Sequence, residues 1–170
     1  MTAVYEYGAR GDLPPVKLTW YQGEHKPQLF KDGKLPMKKP QGRRGQPQEP
    51  RPWTDGHLFV GDKGMLLSDY EGFVLLPEEN FKDVRLPEKS LPRPASHHGE
   101  WLQCIRNGTR PSANFEYSGW LTEANHLGNV AYRVGKKLEW DPKTLKATNA
   151  PEADQYIRRP YRKGWETLTA

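Results

Sequence analysis

Apolar and polar residues alternate along this chain with two different periods. In the second half, Leu121, Ala124, Leu127, Ala131, Val134 and Leu138 recur every three or four positions, the spacing of one face of an amphipathic helix. Gly135 and the Lys136-Lys137 pair stand where such a helix ends, since glycine weakens it and cations favour its C-terminal dipole. Ser118 or Thr122 is the expected cap, residues 111–117 an extended lead-in, and Trp140 the start of an exit strand or turn. An earlier helix begins near Ser96 or His97, places Glu100 in its first turn, and ends at Asn107-Gly108. Its apolar side is Trp101, Leu102, Cys104 and Ile105.

The first half has period two. Residues 4–7 and 16–21 alternate as strands do, and the turn-rich residues 8–15 read as a hairpin loop. Residues 57–60, 65–68 and 72–76 are punctuated by Gly61-Asp62-Lys63-Gly64 and Tyr70-Glu71-Gly72, which predicts an antiparallel meander. Residues 77–95 form a linker rich in proline and charge. A short helical piece at 153–158 opens the tail, residues 151–170, and stops before Pro160. There is no internal repeat.

Composition narrows the class. A chain of 170 residues can bury a core and is most simply one domain, residues 1–170. Six tryptophans and eight tyrosines argue against wholesale disorder, while 16 prolines predict many loops. No run approaches the roughly eighteen apolar residues of a membrane-spanning helix. Residues 1–6 lack the basic-then-apolar pattern of a signal peptide, and localisation stays open because an export signal would belong to a longer N-terminus. Cys104 is the single cysteine, which excludes an intramolecular disulfide framework.

The net charge of +5 invites a nucleic-acid reading. Much of the excess lies in a proline-rich loop, residues 31–53, at Lys31, Lys34, Lys38, Lys39, Arg43, Arg44 and Arg51. From 31 to 51 there is no aromatic residue on which a base could stack, and no helix or ribbon signal to enter a groove. A solvated surface loop is the expectation.

Candidate chemistry is sparse. Gly61-Asp62-Lys63-Gly64 precedes a strand, not a helix, and neither dinucleotide nor P-loop glycine patterns occur, so it reads as a hairpin turn. His97 and His98 are adjacent on a helix and point apart, without ligands at metal spacing. Glu123 and His126 make one E-x-x-H, where a di-iron centre needs two. Cys104 sits on an apolar helix side as a buried thiol would. Ser112, Asn114 and Tyr117 are polar residues on a connection between helices, a common place for function, although capping explains the same residue types. By residue type alone the chain shows no active site.

Several motifs, taken in order, add a resemblance. Leu18-Thr19-Trp20-Tyr21-Gln22-Gly23, Leu58-Phe59-Val60-Gly61-Asp62-Lys63-Gly64, Glu100-Trp101, Pro111-Ser112-Ala113-Asn114-Phe115 and Leu121-Thr122-Glu123-Ala124 come first. Leu127-Gly128-Asn129-Val130-Ala131, Gly135-Lys136-Lys137-Leu138-Glu139-Trp140-Asp141 and Tyr161-Arg162-Lys163-Gly164-Trp165 follow. Together they resemble the C-terminal half of bacterial Gfo/Idh/MocA-type oxidoreductases, from about residue 16 to residue 165. The resemblance implies an α+β fold, a two-layer domain whose open antiparallel sheet, made of the strands around 16–21 and 57–76, is covered by helices on one face, with no Rossmann domain. It implies NAD(P)-dependent hydride transfer on sugars or polyols in the parent enzyme, with NAD(P) held by an N-terminal Rossmann domain. That family's glycine-rich fingerprint, E-K-P lysine and catalytic Asp/His pair have no counterpart here.

The resemblance therefore assigns this chain no catalytic residue, no metal and no cofactor of its own. It points to a substrate-binding and oligomerisation domain, inactive alone, whose partners are the missing Rossmann domain, in cis or in trans, and further copies meeting through the sheet. Neither nucleic acid nor membrane is expected as a partner. Ser112, Asn114 and Tyr117 become substrate-side candidates, and Tyr161, Arg162 and Trp165 interdomain candidates. A stand-alone carbohydrate- or protein-binding module remains the alternative, with Trp20, Tyr21, Trp53 and Trp120 as stacking platforms. Nucleic-acid binding through the basic loop ranks below it.

Overall fold

A computed structural model describes residues 1–38, 49–70, 72–94 and 96–165. Lys39, Arg43 and Arg44 of the basic loop, and Glu71 of the second turn, lie outside the described residues. The elements are β1 (Thr2–Tyr7), β2 (Val16–Tyr21), α1 (Gln28–Lys31), β3 (His57–Val60), β4 (Met65–Ser68), β5 (Phe73–Leu76), α2 (His97–Asn107) and α3 (Phe115–Val134). After them come β6 (Trp140–Asp141), β7 (Lys146–Ala147) and α4 (Asp154–Ile157), and 3-10 turns lie at Glu78–Phe81 and Pro151–Ala153. Helices and open antiparallel sheets make an α+β fold. No described helix is long and apolar enough to cross a membrane.

Contacts gather the chain into two compact units, Met1 with Tyr21–Pro92, and Thr2–Trp20 with Arg93 onwards. In the first, β3, β4 and β5 form the predicted meander, with Leu58 opposite Leu67 and Leu67 opposite Val74. This register stacks Leu58, Met65, Leu67, Val74 and Leu76 on one face, where they pack with Trp53, Phe30 and Leu35. Gly64 (φ 150°) is required by its turn, because a Cβ there would stand 2.7 Å from the Leu76 carbonyl oxygen and overlap the Phe81 ring.

In the second unit β1 and β2 form the predicted hairpin. Arg10 and Leu13 exchange backbone hydrogen bonds of 3.1 and 3.0 Å around Gly11-Asp12, and Gly11 (φ 56°) takes the first central turn position. Helix α3 packs on β1 and on the 3-10 turn at Pro151–Ala153. Val130, Ala147, Ala150 and Ala153 form the core there, flanked by Val134, Leu138, Trp140 and Ile157. The Trp140 indole N–H donates to Glu123 Oε1 at 2.6 Å, so the acid of the lone E-x-x-H holds a strand to the helix.

Three expectations are corrected. Helix α3 starts at Phe115, not after Ser118 or Thr122, because Asn114 Oδ1 accepts the Tyr117 N–H at 3.1 Å and caps it. Thr122 instead bonds back to the Ser118 carbonyl at 2.7 Å inside the helix. The strands at 16–21 and 57–76 do not join one sheet; they fall in a two-stranded and a three-stranded sheet, each closed by its own tight turns. Lys38 is not solvated: it is 6% exposed, paired with Asp69, and its ammonium lies 5.4 Å above the Trp53 ring.

Candidate functional site

The residues nominated as substrate-side cluster around the turn between α2 and α3. Ser96 Oγ accepts the Gly99 N–H at 2.9 Å to start α2, and Gly108 (φ 64°) ends it in the left-handed conformation. The Glu100 carboxylate reaches across the turn and accepts the Ser112 N–H at 2.8 Å and the Ser112 hydroxyl at 2.9 Å. These two bonds, backbone first, hold the Glu100 carboxyl below its ordinary range. Asn114 caps α3 and donates from Nδ2 to the Pro111 carbonyl at 3.2 Å. Arg110 pairs with Glu116 across the same turn.

The turn is thus a hydrogen-bonded bracket. Ser112 and Asn114 are both engaged within it, while the Tyr117 side chain stands exposed. Of the three residues read as sharing one connection, Ser112 lies on it, Asn114 caps α3 and Tyr117 stands in the first turn of that helix, because α3 begins at Phe115. The interdomain candidates also lie close together in the tail, where the Arg162 guanidinium stacks 4.6 Å from the Trp165 ring centre and Tyr161 is exposed.

The helices flanking the bracket carry an apolar surface. On α2, Trp101, Leu102 and Ile105 are exposed, and 101 and 105 lie one turn apart on one face. On the first half of α3, Trp120 and Leu121 are exposed and Phe115 is 95% exposed. The predicted apolar stripe of α3 is therefore only half-buried, from Ala124 onward, and the helix residues that are fully buried are Gly128 and Val130. Six large side chains on these two consecutive helices are thus left to water.

A second feature had no signal in the sequence. A cavity of about 730 Å³ lies in the first unit beside β5, lined by Trp53, Lys38 and Phe81 among others. Trp53 is 8% exposed, so it is not the open stacking platform expected of it, and its indole N–H has no acceptor among the described residues. Asp69 accepts from Lys38 and, through Oδ1, from the Gly72 N–H at 3.0 Å, tying the cation to the β4–β5 turn. A lysine flanked by loop residues gave no hint that it would be buried.

Among the described residues no three His, Cys, Asp or Glu side chains gather as metal ligands. A dinucleotide does not fit them either. No described strand passes through a glycine-rich turn into a helix, and side-chain caps already occupy first-turn N–H groups of α2 and α3.

A family model described as the oxidoreductase family, C-terminal alpha/beta domain, matches residues 56–167, more than half of the chain. The match runs through the meander, both long helices and the tail, and leaves β1 and β2 outside it. No curated protein and no solved structure matches the chain.

Proposed function

The chain belongs to the Gfo/Idh/MocA oxidoreductases as their C-terminal domain, and from that premise we propose that it is the substrate-side and oligomerisation half of an NAD(P)-dependent sugar or polyol oxidoreductase. The observation that carries this reading is the apolar surface of α2 and the first half of α3. Trp101, Ile105, Phe115, Trp120 and Leu121 are large, exposed and carried by the two helices that the Glu100–Ser112 bracket joins. Such a surface suits a Rossmann domain packed beside the bracket, with the substrate between them. The family pairs its C-terminal domain with an N-terminal Rossmann domain, which is where NAD(P) would bind. Hydride acceptor and catalytic residues then come from the companion, and this chain alone does not turn over.

Both compact units belong to this one domain in our reading, supported by a family match that crosses from one into the other. The meander face opposite its core carries Phe59, Leu66 and Phe73, of which Phe59 and Phe73 are exposed, and it serves as the contact between copies.

The test is to join the chain to a Rossmann domain of the same family, in cis or in trans, and follow association and turnover. Trp101→Asp with Trp120→Asp should weaken association by at least tenfold, since each buried aromatic contributes about 2 kcal/mol. Helix content should stay intact, because neither side chain is in the core. Unchanged association would sink the interface, and turnover by the chain alone would sink the division of labour.

A further inference from the structure

We propose that the open edge of β5 and the cavity beside it form a slot for an extended, uncharged peptide segment of a partner, which adds to the meander as a fourth strand. The ladder decides which groups are available. The Asp69 N–H donates to the Gly72 carbonyl at 2.9 Å, and pairing then alternates along β5. Val74 and Leu76 consequently turn their N–H and C=O groups towards β4, while Phe73 and Leu75 turn theirs outward. Strand β5 ends its sheet, and no backbone partner meets these outward groups among the described residues. Unpaired strand groups in a row are a template for another strand.

The cavity has the position and size for one. It touches Gly72, Phe73, Val74 and Leu75 in succession. Successive strand residues point to opposite faces, so a space that meets all four runs along the edge of β5 and not over one face. Its volume of about 730 Å³ is that of a pocket for a single ligand segment. Met37, Trp53, Phe81 and Val84 also line it. A space of that volume holds a short segment and not the edge of a whole second sheet, which favours a segment over another copy of this chain.

Charge sets the chemistry of the occupant. Lys38 is cancelled by Asp69, and the remaining charged lining residues, Glu78 and Lys82, are one of each sign. A charged side chain entering the slot would be desolvated without a net counter-charge, whereas apolar side chains at alternate positions meet apolar walls. The slot therefore selects a neutral segment with apolar residues at every second position.

The whole chain should be titrated with a capped, alternating valine–threonine pentapeptide, and with the same peptide N-methylated along one backbone edge. Binding should be saturable, with the amides of Phe73 and Leu75 shifting and gaining protection from exchange by NMR. The N-methylated peptide, missing about two hydrogen bonds, should bind about tenfold more weakly. Leu75→Pro removes an outward N–H while sparing the β4 ladder, and should weaken the unmodified peptide similarly. Equal binding of the two peptides would overturn strand addition even if Leu75→Pro does not fold. Absence of binding would overturn the slot, and concentration-dependent protection of Phe73 and Leu75 without peptide would assign the edge to a second copy instead.

Discussion

Gly128 of α3 and Tyr5 of β1 meet so closely that the Tyr5 hydroxyl occupies the space where any other residue at 128 would carry its Cβ. That carbon would also stand 3.2 Å from Tyr5 Cζ and 3.3 Å from the Ala3 Cβ. Glycine within a helix costs about 1 kcal/mol relative to alanine, so the close approach must offset that cost. Burial in this contact raises the Tyr5 phenol above its ordinary value, against a lowering backbone hydrogen bond from Gly128.

Gly128→Ala should therefore destabilise the chain by about 1–2 kcal/mol, the overpacking penalty less the gain in helix propensity. In a Tyr5→Phe background the same substitution should cost clearly less, because the overlapping hydroxyl is gone. Urea unfolding of the four proteins measures the coupling. A stabilising Gly128→Ala would show that the helix slides freely over β1.

Asp69→Ala should be the more damaging change. It leaves the Lys38 ammonium buried without its carboxylate and removes the acceptor of the Gly72 N–H, a loss of about 3 kcal/mol or more. Adding Lys38→Met should recover part of it, since no buried charge then remains and a methionine can still pack on Trp53. If the double variant unfolds at the same urea concentration as Asp69→Ala, the pair is not what stabilises this corner.

The Lys137–Glu6 ion pair, at 2.8 Å, ties the end of α3 to β1 and gives stability a defined pH window. The hydrogen bond from Lys137, reinforced by its charge, lowers the Glu6 pKa, so this contribution exists above the unfolded Glu6 value and is lost as pH falls through the lower folded one. The same bond raises the Lys137 pKa, so its contribution exists below the unfolded lysine value and is lost as pH rises through the higher folded one. Lys137→Met should flatten both limbs of a thermal-stability profile, and salt should narrow the difference because both groups are exposed. Identical profiles for the two proteins would remove the pair from the account.

Asn114→Ala should cost about 1 kcal/mol through loss of the α3 cap, whereas Asn114→Ser should retain most of the stability. In the assembled enzyme the Ser variant separates capping from substrate contact. A raised KM with unchanged stability would place Asn114 at the substrate, and an unchanged KM would leave it as a cap alone.

Much of the architecture was legible locally. The meander strands, the hairpin at Gly11, and the glycines closing α2 and α3 are written in residues a few positions apart, and they formed as read. The start of α3 was misplaced because Asn114, Ser118 and Thr122 are all competent caps, and only the anchoring of the turn by Glu100 and Ser112 distinguishes them. Ser112, Asn114 and Tyr117 were legible as polar neighbours for the same local reason, but the sequence did not show that Asn114 caps α3 and that Tyr117 lies within it.

By itself, the sequence determined periodicity, turns, helix ends and, through an ordered series of motifs, the family to which the chain belongs. Only the tertiary structure decided that Lys38 and Trp53 would be buried, that Gly128 had to stay small for Tyr5, and that Trp101, Phe115 and Trp120 would remain in water. The physical reason is common to all three. Caps and turns are satisfied by near neighbours, whereas burial depends on what distant parts of the chain, or a partner, bring to the same place.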